Sequence, residues 1–227
     1  MGVRMQFADR REAGRQLAGL LQHLAVDPTA DRGADRGPAG VVVLGLPRGG
    51  VPVAFEIALA LGAPLDVIVV RKLGAPHQPE LAMGAIGEGG VRVIDEGVVR
   101  TVGATEADIA AIEERERVEL ARRARQFRDD APPIAVEGRT AIIVDDGIAT
   151  GSSARVACRI VRARGASRLV LAVPVAPERW AKELGDEADE FVCVKTPRWY
   201  RSVGEWYRDF SQTTDAEVIR CLELAAR

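Results

Sequence analysis

Apolar and polar positions alternate with two different periods along this chain. In residues 9–24, Leu17, Leu20, Leu21 and Leu24 recur at helical spacing, and Asp9 stands where a cap accepts the first free amide, so a helix is predicted there. Residues 27–40, DPTADRGADRGPAG, show no period; Asp, Gly, Pro and Arg dominate, and a linker is expected. From residue 41 short apolar runs alternate with helical stretches. VVVLG at 41–45 and LDVIVV at 65–70 read as buried strands, with a helix over 51–61 between them. AMGAIGEGGVRVID at 82–95 reads as two short strands about a Gly-rich turn. The longest helix is expected over 105–128, started by Thr105 and Asp108 in an acidic form of the capping box. A strand at 140–144, a helix at 152–164, a strand at 168–173, a short helix near 178–184 and a strand at 190–194 follow. The tail, 196–227, ends in a helix that Thr214 and Glu217 would start as a second capping box.

Short apolar strands alternating with helices predict an α/β fold, a parallel sheet covered by helices on both faces. The chain then divides into an N-terminal helix and linker (1–40), a core (41–195) and a C-terminal aromatic tail and helix (196–227). A hairpin-plus-helix insertion at 82–128 could build a hood over the core. In such sheets ligands bind beyond the carboxyl ends of the strands. The loops 46–50, 71–79 and 145–153 each follow a predicted strand, so all three are expected to open on one edge.

Composition narrows the function classes. Apolar residues make up 47% and charged residues 28%, ordinary values for a globular core. The net charge of -2, from 31 basic and 33 acidic residues, leaves no basic excess for a nucleic-acid partner. No run of apolar residues is long enough to span a membrane, and the N-terminus lacks a signal-like apolar segment. The three cysteines lie far apart without a CxxC pair, which favours reduced thiols in a cytoplasmic protein over a zinc site or disulfides.

The chemistry concentrates in AIIVDDGIATGSS, residues 141–153. Small residues before a helix start, with hydroxyls on Thr150, Ser152 and Ser153, offer backbone amides and a helix dipole to a phosphate. Neither a Walker A loop nor GxGxxG is present there. Asp145 and Asp146, one step upstream, can accept bonds from vicinal sugar hydroxyls, directly or through hydrated Mg²⁺. Cradle and acids together describe a phosphorylated sugar. In GLPRGGVP (45–52), Gly49 and Gly50 permit close backbone approach and Arg48 supplies a planar fork for phosphate oxygens. In VVRKLGAPHQPELA (69–82), Arg71 and Lys72 precede a Gly/Pro-rich stretch suited to a mobile flap that closes over an anion. His77 in that stretch could move a proton, although a loop histidine is commonly just solvated.

IIVDDGIATGSS closely resembles the signature of type I phosphoribosyltransferases: apolar residues, two acids, two variable residues, then Ala-Thr-Gly-x-Ser/Thr. LPRGG stands at the place of that family's pyrophosphate loop and RKLGAP near its flexible-loop entrance, and the likeness runs from about residue 40 to 195. FADRREAG, GLPRGGVPVA, VVRKLG, LAVPVAP and VGEWYRDFSQTTDAEV resemble a bacterial subgroup without a defined acceptor. The resemblance implies a Rossmann-like sheet and transfer of ribose 5-phosphate from 5-phosphoribosyl 1-diphosphate (PRPP) to a nucleobase-like acceptor. It implies that Asp145 and Asp146 bind the ribose hydroxyls and assist Mg²⁺, and that Ala149, Thr150, Gly151, Ser152 and Ser153 hold the 5-phosphate. Arg48, Gly49, Gly50, Arg71 and Lys72 would hold pyrophosphate, with Arg48 and Lys72 acting with the two acids as the catalytic set. Partners would be PRPP, a small-molecule acceptor and a second copy in a homodimer, with neither nucleic acid nor membrane.

Two positions depart from the family pattern. Where the 6-oxopurine members carry an Asp that faces the purine, this chain has Ala149, which disfavours hypoxanthine or guanine. Gly147 replaces a branched residue and is expected to loosen the loop. No general base for the acceptor is evident, so a PRPP- or nucleotide-sensing protein that keeps the site without transfer is the rival, and a phosphosugar hydrolase a third reading. Five of the ten aromatic residues fall at 199–210, where Trp199 and Tyr200 could stack on a planar acceptor, or where the cluster could dock as a latch or dimer surface.

Overall fold

The computed structural model describes residues 6–25, 40–129 and 131–226; residues 27–39 of the expected linker lie outside them. In chain order the first elements are α1 (Arg10–Leu20), β1 (Val41–Gly45), α2 (Gly50–Leu61) and β2 (Leu65–Val67). A second group follows, comprising β3 (Val70–Ala75), β4 (Gln78–Gly87), β5 (Arg92–Ile94), α3 (Glu96–Val102) and α4 (Glu106–Arg128). The chain then continues through β6 (Thr140–Val144), α5 (Ser152–Ala163), β7 (Arg168–Val175), α6 (Trp180–Leu184), β8 (Glu190–Lys195) and α7 (Asp215–Ala225).

Five strands form the predicted parallel sheet, in the order β2-β1-β6-β7-β8. Successive side chains of a strand point to opposite faces, so a strand buried on both reads as continuously apolar. Thus Val41 and Val43 join the core on the α1 and α2 side, while Val42 and Leu44 join the core against α5 and α6. α2 is buried almost all round because it lies between the sheet, α1 and α7. Leu17 and Leu21 are fully buried against it, each contributing about 2 kcal/mol by burial alone. Asp9 caps α1 by accepting from Glu12 N at 2.8 Å, and Thr105–Asp108 and Thr214–Glu217 form complete capping boxes. The helix expected over 9–24 divides into α1 and a short 3-10 turn at 22–24.

The region after β2 departs from expectation. The strand expected over 65–70 ends at Val67, and the expected flap at 71–79 is mostly strand: β3, a turn at residues 76–77, and the start of β4. Leu73 and Ala75 alternate into the core, a period-2 signal that the Gly and Pro residues around them obscured. β3, β4 and β5 make an antiparallel sheet that packs on α5 and, with α4, forms the hood. α3 was not anticipated; Asp95 starts it by accepting from Gly97 N and Val98 N, both at 3.1 Å.

A buried ion triad joins hood to core. Arg128, at the end of α4, donates through Nε to Asp66 of β2 at 2.5 Å and through Nη2 to Val67 O at 2.7 Å. Its two terminal nitrogens also meet the Glu88 carboxylate at the β4–β5 turn, with Nη2–Oε2 at 2.8 Å. Asp66 completes its set by accepting from Ile134 N at 2.9 Å, so the charges removed from water are paired.

Candidate active site

The chain proceeds from β1 to β2 in one direction across the sheet and from β6 to β8 in the other. The crevice between the carboxyl ends of β1 and β6 is therefore the topological switch point, where open α/β sheets bind ligands. Leu46 N donates to Val144 O at 2.8 Å and ties the two loops together at their roots. Glycine is required at this junction: a Cβ on Gly50 would lie 2.4 Å from Val144 O. The Pro47–Arg48 peptide in this turn is cis.

A cleft of about 440 Å³ opens here. Thr150, Ser152 and Ser153, at the start of α5, line one end of it, with Gly151 in the left-handed region (φ 76°) to turn the chain into the helix. Thr150 Oγ1 and Ser152 Oγ stand 3.2 Å apart, so hydroxyls and the first amides of a twelve-residue helix converge on one spot. Asp145 lines the wall beside them, and Arg71 and Lys72 of β3 face it from the hood. The expected phosphate loop, one acid and two cations thus meet around one space. Ala149 is exposed beside them.

The cations are not bare. Arg71 pairs with Glu116 of α4 through Nε at 2.7 Å and Nη2 at 2.6 Å, and Lys72 pairs with Glu80 at 3.1 Å. Arg48 reaches instead toward α7, with Nη1 3.7 Å from Asp215 Oδ1. His77 stands exposed at the hairpin turn. The acids differ in their surroundings. Burial raises both carboxyls above the ordinary carboxylate range; the neighbouring charge of Asp146 adds to the rise at Asp145, whereas the Arg10 guanidinium opposes it at Asp146.

The aromatic tail divides. Trp199 is 84% exposed, whereas Trp206 and Tyr207 are buried with Phe7 and Val175, and Phe210 stacks on Tyr207 at 5.0 Å. Tyr200 packs on that cluster with its hydroxyl buried and without a hydrogen-bond partner among the described residues. Burial, then the charges of Asp146, Cys193 and Asp145, push the Tyr200 phenol up, which places it within the field of both acids. Gly147 does not loosen its loop. A Cβ there would lie 2.5 Å from Val203 Cγ1 and 3.1 Å from Val175 Cγ1, and Ile148 N bonds Val175 O at 2.9 Å. The tail occupies the room a branched side chain would need.

Two contacts at the acids had no signal in the sequence pattern. Arg10 Nε donates to Asp146 Oδ2 at 2.8 Å, and the Tyr207 hydroxyl donates to the Asp146 carbonyl at 2.6 Å. Among the described residues no group of three or more His, Cys, Asp and Glu is placed to hold a metal ion. That donor set fits Mg²⁺ carried on one or two carboxylates, substrate oxygens and water, and does not fit an all-protein cage. No helix among the described residues is long and apolar enough to cross a membrane.

Two Mycobacterium tuberculosis proteins, from strains CDC 1551 and H37Rv and each named "Putative phosphoribosyl transferase", are 52% identical over 221 residues. The alignment takes in 97% of this chain and 47% of theirs, so the chain spans about half the length of these curated relatives. The crystal structure of TT1426 from Thermus thermophilus superposes with a TM-score of 0.83 at 41% identity, over 96% of this chain and 98% of that one. The family model described as phosphoribosyl transferase domain matches residues 30–211, and the chain belongs to that family.

Proposed function

We propose that the cleft binds PRPP and that the protein transfers its ribose 5-phosphate to a nitrogenous, nucleobase-like acceptor with release of pyrophosphate. One observation carries this: the helix-start cradle of Thr150, Ser152 and Ser153, the Asp145 carboxylate, and Arg71 and Lys72 line a single cleft at the switch point. The cradle would take the 5-phosphate, with Ala149 and Gly151 contributing backbone. Asp145 and Asp146 are the acids proposed for the ribose hydroxyls. Arg71 and Lys72 would exchange Glu116 and Glu80 for the diphosphate, joined by Arg48 and by backbone groups of Gly49 and Gly50. Mg²⁺ held by the Asp145 and Asp146 carboxylates would supply neutralising charge to the departing diphosphate. The chain's own task is to orient the sugar and to present fixed cations and amides where charge develops. Trp199 and Tyr200 are the proposed acceptor contacts, Trp199 by stacking. The three free cysteines support a reducing, cytoplasmic setting.

Ala149, exposed beside the cradle, has no side-chain group to bond an acceptor base or take its proton, which favours one alternative, a PRPP sensor without turnover. The protein is to be mixed with PRPP, Mg²⁺ and a panel of bases, and pyrophosphate followed; release with at least one base is expected. Calorimetric binding of PRPP without release across the panel supports the sensor, and no binding at all sinks both.

A further inference from the structure

α4 turns its apolar side to the core through Ile109, Ile112, Leu120 and Phe127, which are all buried. Two charged residues, Glu116 and Arg123, lie about two turns apart on that same side. Glu116 is engaged by Arg71 through two bonds. Arg123 lines the cleft, together with Arg71, Lys72 and Asp145. Arg122, about a third of a turn away, is turned to solvent with 59% of its side chain exposed.

The turn of α4 that carries Arg123 stands beside the β1 loop. Gln126 Nε2 donates to Asp215 Oδ2 at 2.7 Å, and Arg48 Nη1 lies 3.7 Å from Asp215 Oδ1, so the start of α7 bridges helix and loop. Leu46 and Pro47, at the root of that loop, line the cleft as Arg123 does. Arg123 therefore shares its surroundings with the β1 loop and β3, the two segments proposed to take the diphosphate.

This cation is also the one most easily released. Arg71 and Lys72 each have an acid of their own, Glu116 and Glu80. Arg123 Nε donates to Glu119 Oε1 at 2.8 Å in a pair with side-chain exposures of 44% and 30%, and exposed pairs of this spacing are weak. Glu119 is gripped at the same time by Arg122, through Nε and Nη2 both at 2.8 Å, so it keeps a partner when Arg123 leaves. Two guanidiniums sharing one carboxylate leave surplus positive charge on this side of the cleft.

We infer that Arg123 is a third cation of the diphosphate subsite, supplied by the hood helix: it leaves Glu119 to Arg122 and pairs with the diphosphate of PRPP beside Arg71 and Lys72. Its planar fork suits two phosphate oxygens at once. This rests on the PRPP reading of the cleft and adds to it a residue from outside the loops.

The test is calorimetry with Mg²⁺ on the full chain as wild type, Arg123→Met, Arg123→Lys and Arg122→Met, each with PRPP, inorganic pyrophosphate and ribose 5-phosphate. Arg123→Met is expected to weaken PRPP and pyrophosphate by roughly tenfold or more, and ribose 5-phosphate by less than about twofold, since only the first two carry a diphosphate. Arg123→Lys keeps the charge without the fork and should recover part of the loss. Arg122→Met removes the same charge from the solvent side and is expected to change all three by less than about twofold. Equal losses in Arg122→Met and Arg123→Met would reduce the effect to the general field of the helix and overturn the inference. A loss for ribose 5-phosphate as large as that for PRPP overturns it too, as does an Arg123→Met variant that binds PRPP and pyrophosphate like wild type. Should wild type bind pyrophosphate but not PRPP, the PRPP reading falls and Arg123 is judged on pyrophosphate alone; binding of none of the three sinks both.

Discussion

Replacing Arg128 with Met removes the charge from the buried triad while keeping most of its side-chain length. The exposures of Arg128, Asp66 and Glu88 are 7%, 4% and 10%, so water cannot take the place of the guanidinium. In the native protein burial works against the Arg128 charge, but the bonds to Glu88 and Asp66 outweigh it and its pKa is raised. In the variant Asp66 keeps its bonds from Val67 N and Ile134 N, whereas Glu88 loses both bonds it received from Arg128. Breaking one partner out of a buried ion pair costs about 3–5 kcal/mol, a large part of the roughly 5–15 kcal/mol available to a domain. At about 2–4 °C per kcal/mol for a chain of this size, the melting temperature should fall by about 6–20 °C. Urea denaturation followed by circular dichroism measures the loss, and hydrogen exchange locates it. Protection should drop first at the β4–β5 turn and the end of α4, because the triad is what ties them to β2. A loss below about 1 kcal/mol, the range of exposed ion pairs, would show that the triad is solvated and the reasoning wrong.

Gly147→Val should destabilise the protein by about 1–3 kcal/mol, because the added methyls must displace Val203 and Val175; an unchanged melting temperature would mean that the tail is not packed there. Burial pushes the Cys158 thiol up to about 12 and that of Cys193 up to about 11, so both are neutral at pH 8 and should react slowly with a thiol reagent until urea unfolds the chain; rapid native labelling of either contradicts the packing. Asp189 is held below the ordinary carboxylate range, first by Arg162 and then by Leu169 N. Its contribution is therefore present at neutral pH and lost as pH falls through its lowered folded-state value. The stability gap between wild type and Asp189→Asn should close in acid, and a gap that persists there would refute the assignment.

What could be read in advance shares one property, locality. The DDGIATGSS turn into α5, the Asp9, Thr105 and Thr214 caps, and the parallel core all depend on residues close along the chain. Strand–turn–helix chemistry is written within about a dozen positions, and the apolar periods report burial directly. The hood was only half legible. The strands of 82–95 follow an apolar pattern, but β3 hides its alternation among Arg, Lys, Gly and Pro, and its strand character comes from pairing with β4.

By itself the sequence determined the α/β class, the loops after β1 and β6 and the hydroxyl-rich start of α5. Only the tertiary structure decided which groups those loops present. It bound Asp146 to Arg10, tied Arg71 and Lys72 to Glu116 and Glu80, and drew Arg48 toward Asp215. It also sent Tyr207 to the acid backbone while leaving Trp199 in solvent. A charged side chain carries no period and has several oppositely charged candidates along the chain, so its partner is chosen when packing brings one within reach and excludes water from the pair.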